Sequence, residues 1–572
     1  MSGQVADSAA APDANIASHL RHMAATQAQR LAIACPRAGL SSLLPWPSGF
    51  TELSFKQLDD WSENIARGLV LAGIGPGTRV VLLVPPGPEF FAAVFALMKS
   101  GAIMVCIDPG IGVRALGRCI NHSLPRAIIG SSKAHLARRM FAWGRDTNRL
   151  NIIATDNALV LSGDPQPTRT LRSLCEAGEA CTNRDLGALP IVDAHDTAAI
   201  LFTSGSTGPP KGVIYSHATF QAQIQMLRSS YGIKPGEVDL STFPLFALFA
   251  PALGMSAVIP KMDFTRPARV RPANIIDAVQ RYNVTSLFGS PALLRRLGHW
   301  NRRHPHTLPS LRRVICAGAP VAASVIADLL PMLNRSTHLH TPYGATEILP
   351  VSSIDSHEIL TQTATQTALG KGVCVGQPVS GVDARIIEIS DAAHVDADPI
   401  SLEAGVIGEI IVSGANLSLG YDRLDDAQRK ARFCDARGRR WHRMGDSGYI
   451  DEQGRLWFCG RVAHRVVTRE RIYYPICCEG VFNTHPKVYR SALVRLDSGR
   501  DTRPALCVEL EVGTAKSTRA KILAELLEIG ARFEHTQSIH KLFFHLAFPV
   551  DIRHNAKIDR EQLGHWASAR GG

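Results

Sequence analysis

Apolar residues recur along the first two thirds of the chain at two alternating spacings. Segments with apolar residues three to four positions apart predict amphipathic helices, and short apolar, often β-branched runs predict buried strands. Alternation of the two predicts parallel sheets whose faces are covered by helices. The helical segments include LSFKQLDDWSENIARGLVLAGI and PEFFAAVFALMKSG, and the strand segments are TRVVLLVPP, GAIMVCIDPG, RAIIGSS, LNIIAT, AAILFTS, SLFGS and RRVICAG.

The pattern changes after about residue 380. Strand-like runs with shorter, hairpin-like connections follow, such as GEIIVSG and SGYIDEQGRLWFCG, and a helical segment, AKSTRAKILAELLEIGARFE, comes near the C-terminus. The sequence therefore predicts an α/β protein: a large N-terminal domain of helix-covered parallel sheets with a β-rich subdomain, and a small α+β C-terminal domain. We place an Ala/Pro-rich N-terminal extension over residues 1–50, the large domain over 51–460 and the C-terminal domain over 461–572.

One segment has the length of a membrane-spanning helix. Residues 240–260, LSTFPLFALFAPALGMSAVIP, carry no charge, which meets the length criterion for a span. Pro244, Pro251 and Pro260 interrupt it, and this disfavours one continuous helix. We predict a buried strand, turn and helix that line an interior wall, and no transmembrane segment. The N-terminus is not typical of a secretory signal.

Composition and charge narrow the functional classes. The 572 residues are 45% hydrophobic and 20% charged, which is typical of a globular protein with two or more domains. The net charge is +12, but the basic residues form no long block, so we expect no nucleic-acid partner. The twelve cysteines contain no C-x-x-C pair, which argues against a zinc site. They indicate a reducing compartment, and we expect a cytoplasmic location.

The strongest chemical signal is the segment AAILFTSGSTGPPKGVIYSH, residues 198–217. An apolar strand runs directly into a loop of glycines and hydroxyl residues followed by a lysine. Glycines let backbone amides approach an oxyanion, and consecutive N–H groups form an anion-binding nest. The spacing differs from that of a P-loop. The loop predicts phosphate binding by Thr203, Ser204, Gly205, Ser206, Thr207, Gly208 and Lys211.

This loop resembles the signature of the adenylate-forming superfamily, which includes acyl-CoA synthetases, luciferases and peptide-synthetase adenylation domains. The resemblance implies an adenylation domain and a mobile C-terminal domain that use ATP and Mg²⁺ to convert a carboxylate into acyl-AMP and pyrophosphate. The segments AGAP, YGATE, RMGDSGYI, GRV and HNAKIDR follow in the family's order, so the resemblance covers nearly the whole chain.

The resemblance also implies a role for each matching residue. Lys557, Lys211, Glu347 and Thr346 form the implied catalytic group. The resemblance implies that Gly318, Ala319 and Pro320 lie along the adenine and that Tyr343, the first residue of Tyr343–Gly344–Ala345, stacks on it. Asp446 is implied to bind the ribose, with Arg461 near it. The remaining implied positions are Thr346 at the α-phosphate, Glu347 on Mg²⁺, and Lys557 between the carboxylate and the α-phosphate.

Departures from the family pattern bear on the fate of the acyl-AMP. His464 stands where a hinge Asp or Lys is usual, and Arg469 and Glu470 stand where paired glycines border the path of a pantetheine thiol. Because only glycine lets backbone and ligand approach so closely, we expect these side chains to obstruct a thiol. Ala247 stands where many acyl-CoA synthetases carry a histidine near the acyl pocket.

Within the superfamily, the whole pattern is most similar to the β-lactone synthetases of bacterial long-chain olefin biosynthesis. This similarity implies a long-chain 2-alkyl-3-hydroxy fatty acid as substrate and attack of its own 3-hydroxyl on the adenylate, giving a β-lactone. Tethering supplies a proximity that an external thiol lacks. Other olefin-pathway enzymes are implied as partners in an assembly. The base for the 3-hydroxyl is left open; His464 is one candidate, although the hinge role fits it better.

The uncharged segment supplies the expected acyl-binding residues, because a fatty chain needs an apolar cavity. A long-chain fatty acyl-CoA synthetase or a fatty acyl-AMP ligase is the alternative within the superfamily. A non-enzymatic lipid- or nucleic-acid-binding protein is a third interpretation, against which the retained charged residues of the ATP site argue. The expected acyl-binding residues are Phe243, Leu245, Phe246, Ala247 and Phe249.

Overall fold

The computed structural model describes most of the chain as a mixed α/β protein, as the sequence predicts. Of the predicted site residues, Thr203, Ser204, Gly205, Ser206, Thr207, Gly208, Leu245 and Phe246 lie outside the described residues. The described residues are 14–37, 49–154, 164, 166–181, 186–202, 210–243, 247–390, 399–498, 501–550 and 557–571.

The first large sheet has a parallel centre of apolar strands. Every residue of Ile103–Ile107 and of Ala127–Gly130 is buried, as expected for strands covered on both faces. Thr197–Phe202 leads into the predicted phosphate loop and Gly212–Ser216 leaves it as its antiparallel neighbour. In spatial order the described strands are Gly420–Tyr421, Gly212–Ser216, Thr197–Phe202, Ile103–Ile107, Arg79–Leu83, Ala127–Gly130, Leu150–Ile153 and Thr168–Thr170.

The second large sheet joins a parallel half to an antiparallel half. The change of direction comes where His338–Ala345 turns back into Ile348–Asp355, earlier than the change of pattern near residue 380. The order is Val382–Ile387, Gly408–Gly414, Arg440–Ile450, Leu456–Arg461, Val373–Pro378, Ile348–Asp355, His338–Ala345, Arg313–Cys316, Ser286–Gly289, Val238–Ser241, Ser256–Val258, Leu31–Pro36 and Phe50–Ser54, with Arg432–Cys434 paired beside Arg440–Ile450.

The helices begin and end at the residue types that cap helices. Ser54 forms a reciprocal capping box with Gln57, and Gly101 follows a helix with a φ of 71°, the conformation that favours glycine at this position. The described α-helices are Ser18–Thr26, Phe55–Leu71, Pro88–Lys99, Val113–Ser123, Ser132–Met140, Leu171–Ala180, His217–Tyr231, Phe249–Ala252, Pro272–Tyr282, Pro291–Asn301, Ala323–Leu329, Ser356–Glu358, Ala364–Ala368, Asp425–Ala431, Pro475–Phe482, Arg519–Ala531 and Arg560–Gly571.

The described part of the uncharged segment contains the predicted strand and helix, followed by a second strand. Val238–Ser241 and Ser256–Val258 are neighbouring strands of the second sheet, and the short helix Phe249–Ala252 lies between them in sequence. Among the described residues, no helix is long and apolar enough to cross a membrane.

The N-terminal residues contain ordered elements that the sequence pattern did not predict. Leu31–Pro36 pairs with Ser256–Val258 and with Phe50–Ser54, so the second sheet extends into the predicted extension. This strand is only six residues long, and an apolar run this short does not by itself distinguish a strand from a helix. The domain boundaries stay predictions.

The C-terminal residues form a small sheet with its own core. Val488–Ser498, Asp501–Leu510 and Leu542–Phe544 are its strands, and a two-stranded pair, Val466–Val467 with Ile472–Tyr473, precedes it. The helices Pro475–Phe482, Arg519–Ala531 and Arg560–Gly571 accompany these strands in sequence, and the core includes Leu493, Leu506, Val508, Phe482 and Leu526.

Candidate active site

A single large cavity brings together most of the described residues that the sequence singles out. Three parallel strands end at it, since Thr242, Ser290 and Ala317 each follow such a strand and line the wall, and ligands of open α/β sheets bind at this end. Its volume is about 1620 Å³, above the range of a single small-molecule pocket, so it has room for two ligands. The predicted residues on its wall are Lys211, Phe243, Phe249, Gly318, Ala319, Pro320, Tyr343, Gly344, Ala345, Thr346, Glu347, Asp446, Arg461 and Lys557.

Antiparallel pairing brings Asp446 and Arg461 together. They are direct cross-strand partners, and Arg461 Nη1 lies 3.0 Å from Asp446 Oδ1. The Tyr343 hydroxyl donates to Asp446 Oδ2 at 2.6 Å. Burial raises the pKa of Asp446, and Arg461 and Tyr343 offset only part of this effect. The carboxylate faces the cavity as an acceptor for hydroxyl groups.

Glu347 lies on the wall of the same cavity as Asp446 and Arg461. Its Oε1 accepts a hydrogen bond of 2.7 Å from the Tyr421 hydroxyl. Burial acts to raise the pKa of Glu347, but neighbouring groups, among them the Tyr421 hydroxyl and Arg461, outweigh it and hold that pKa below its usual value. The carboxylate is therefore ionised at neutral pH.

Glu347 can hold a magnesium ion only together with other ligands. Within the described part of the chain, no group of three or more His, Cys, Asp or Glu side chains is arranged to bind a metal. An ionised carboxylate fits a hard cation that takes its remaining ligands from phosphate oxygens and water. The residues therefore fit Mg²⁺ bound with a nucleotide, and not a metal held by protein alone.

Three residues of this site were not predicted from the sequence: Tyr421, Arg432 and His442. The Tyr421 ring lies 4.9 Å from Lys211 Nζ. Burial lowers the pKa of His442 to about 4, so this imidazole is neutral beside Glu347. No local motif marks them, because they come from strands whose pairing alone brings them to the site.

The C-terminal residues supply Lys557 to the cavity wall. Val550 and Ile558 form an antiparallel bridge. Arg560 begins the last helix and forms a buried ion pair with Glu479, with Nη1 2.7 Å from Oε1. These contacts fix the backbone on the C-terminal side of Lys557.

His464 and the pair that replaces glycines occupy different surroundings. His464 lies on the cavity wall, and burial lowers its pKa to about 4. Arg469 and Glu470 are exposed on the turn between Val466–Val467 and Ile472–Tyr473, and neither of them lines the cavity. The predicted obstruction of a thiol by this pair stays a prediction.

The apolar part of the cavity extends beyond the segment that the sequence singled out. Phe243 and Phe249 line it, whereas Ala247 is fully buried in the core and does not lie on the wall. Val94 and Met98, from the helix Pro88–Lys99, also line it, although their spacing alone does not distinguish a pocket wall from core.

Comparison with known proteins gives full-length matches. Residues 20–422 match the family of AMP-binding enzymes, described as "AMP-binding enzyme". The olefin β-lactone synthetase of Xanthomonas campestris pv. campestris is 44% identical over 560 residues, 97% of this chain and 97% of that protein. The olefin β-lactone synthetase of Stenotrophomonas maltophilia is 44% identical over 562 residues, 97% of this chain and 98% of that protein.

The fold also matches a solved structure. The amide bond synthetase of Marinactinospora thermotolerans superposes with a TM-score of 0.76 at 20% identity, covering 97% of this chain and 100% of that one. At this identity the likeness concerns the fold alone.

Proposed function

The chain belongs to the AMP-binding enzyme family and has olefin β-lactone synthetases as full-length relatives, and we propose that it is an AMP-forming ligase that makes a β-lactone. Its substrates are ATP and a long-chain 2-alkyl-3-hydroxy fatty acid. The products are the β-lactone, AMP and pyrophosphate. The observation that carries this proposal is the 44% identity to β-lactone synthetases along 97% of the chain.

The first step joins the carboxylate to the α-phosphorus of ATP and breaks the bond to the β-phosphate. Lys557 and Lys211 place ammonium groups on the cavity wall, where they stabilise charge that develops on the carboxylate and phosphates. Asp446 accepts hydrogen bonds from the ribose hydroxyls, and Tyr343 and the segment from Gly318 to Pro320 contact the adenine. Glu347 would hold Mg²⁺, which when bound would neutralise phosphate charge.

The second step closes the ring. The oxygen of the 3-hydroxyl bonds to the acyl carbon, the hydroxyl proton leaves, and the bond from the acyl carbon to the AMP oxygen breaks. Because the nucleophile belongs to the same molecule, it needs no second binding event. A thiol acceptor is unnecessary, and Arg469 and Glu470 stand where a thiol path would require glycine.

The apolar wall supports a fatty substrate. Phe249, Val94 and Met98 present hydrocarbon to the same cavity that holds Lys557 and Asp446. We also propose that the enzyme acts in the cytoplasm with other olefin-pathway enzymes, which supply its hydroxy acid and consume its lactone. Its cysteines form no disulfide within the described residues, which supports a reducing compartment.

The experiment compares two acids of equal chain length, one with a 3-hydroxyl and one without. With the hydroxy acid, AMP and pyrophosphate should be released together over many turnovers. With the plain acid, pyrophosphate should appear as one burst and AMP should be released only by slow hydrolysis. Equal turnover of both acids would contradict ring closure by the 3-hydroxyl.

A further inference from the structure

Tyr421 is fixed beside the lysine of the phosphate loop by backbone pairing. Its strand runs antiparallel to Gly212–Ser216, with Tyr421 opposite Val213. The amide of Asp422 donates to the carbonyl of Gly212 at 2.7 Å, and Gly212 directly follows Lys211. The position of Tyr421 relative to this lysine is therefore set by main-chain hydrogen bonds.

The next residue anchors this segment to the first sheet. Asp422 is buried and accepts two hydrogen bonds from Arg79, at 3.1 and 2.9 Å. A bidentate arginine–carboxylate pair fixes orientation as well as distance. Tyr421 therefore extends from a rigid backbone into the cavity wall.

Both parts of the Tyr421 side chain contact a predicted ATP-site residue. The hydroxyl donates to Glu347 Oε1 at 2.7 Å. The ring lies 4.9 Å from Lys211 Nζ, within the range of a cation–π contact. The same segment also holds the Glu347 backbone, because the amide of Ser418 donates to the Glu347 carbonyl at 2.9 Å.

We propose that Tyr421 is a positioning residue that sets Glu347 and Lys211 separately for magnesium–ATP, the hydroxyl acting on the carboxylate and the ring acting on the ammonium. The inference rests on the proposed use of ATP. The hydroxyl holds the Glu347 carboxylate through Oε1, which restricts the orientation that this carboxylate presents to a cation. The ring restricts Lys211, whose long flexible side chain otherwise loses conformational entropy on binding phosphate.

Two substitutions separate these actions. Tyr421→Phe keeps the ring and removes the hydroxyl, and Tyr421→Leu removes both. Tyr449→Phe is the matched control, since its hydroxyl donates to a backbone carbonyl, that of Lys371 at 3.0 Å, outside the cavity wall. Calorimetric titration of the full-length proteins with ATP, with excess Mg²⁺ or with EDTA, gives the two dissociation constants, and circular dichroism checks the fold.

Tyr421→Phe should weaken binding of magnesium–ATP by roughly tenfold, the scale of a lost hydrogen bond to a charged group, and leave binding of ATP in EDTA unchanged. Tyr421→Leu should in addition weaken binding in EDTA by roughly threefold. The control should match the wild type in both titrations. Equal effects of Tyr421→Phe in both titrations, or none in either, would overturn the inference. A wild-type protein that binds no ATP would instead overturn the proposed function.

Discussion

At the residue scale, Lys557 reaches the cavity wall from the C-terminal end of the chain. Lys557→Ala should slow acyl-AMP formation by on the order of 10²-fold or more, because a preorganised charge at the reacting carboxylate is removed. Glu347→Gln should have a similar effect through magnesium–ATP. The measurement is the rate of pyrophosphate release, with Lys541→Ala, which replaces an exposed lysine, as the control. Unchanged rates in both site variants would contradict the assignment of the site.

His442 leads to a prediction about pH and stability. Its folded pKa is about 4, below the ordinary 6.5, because it is buried. Between these values the unfolded chain binds more protons than the folded chain, so stability rises with pH from about 4 to 6.5 and is lost as pH falls through this window. The difference corresponds to about 3 kcal/mol. His442→Gln should flatten this dependence, as measured by urea unfolding at pH 5 and 7; an unchanged slope would contradict the burial of a neutral imidazole.

Residues inside continuous motifs could be predicted from the sequence, and residues supplied by pairing could not. The segment Tyr343–Glu347 stands out locally, and the structure places it on the cavity wall. Tyr421 and His442 reach Glu347 only because distant strands pair beside it. Ala247 was expected to bind the acyl chain but is buried in the core. An apolar segment does not reveal which of its residues face the cavity and which face the core.

At the element scale, the last helix begins at Arg560, which forms a buried ion pair with Glu479. Arg560→Leu should destabilise the C-terminal residues by about 3 kcal/mol, because Glu479 is left buried without its partner. Pyrophosphate release should slow as well, since Lys557 lies three residues before Arg560. Arg570→Leu replaces an exposed arginine of the same helix and is the control. Wild-type stability and rate in Arg560→Leu would contradict this role.

The helix Pro88–Lys99 contributes to the apolar wall of the cavity through Val94 and Met98. Val94→Phe should shorten the preferred acyl chain, because each substrate methylene that the larger side chain excludes from the cavity loses roughly 0.8 kcal/mol of favourable burial. The measurement is kcat/KM across a series of hydroxy acids. Ala247→Val is the matched control: it enlarges a core residue off the wall and should lower stability without changing the chain-length profile. Equal loss for short and long acids in Val94→Phe would contradict the assignment of this wall.

At the scale of the whole molecule, the order of strands and helices could be predicted, but the extent of the sheets could not. The parallel strands were predicted because buried apolar runs alternate with helical periodicity. The second sheet also takes in Leu31–Pro36 and continues through Ile348–Asp355 into antiparallel strands. Both extensions depend on pairing between distant segments, which local pattern does not encode.

The measurement that tests the central claim most directly is the identity of the product formed from a 2-alkyl-3-hydroxy acid with ATP and Mg²⁺, with and without CoA. Carbonyl NMR and infrared spectra should show a β-lactone, with AMP and pyrophosphate in equal amounts, and CoA should change neither product nor rate. An acyl-CoA that forms at the rate of AMP release would contradict the account and favour an acyl-CoA synthetase.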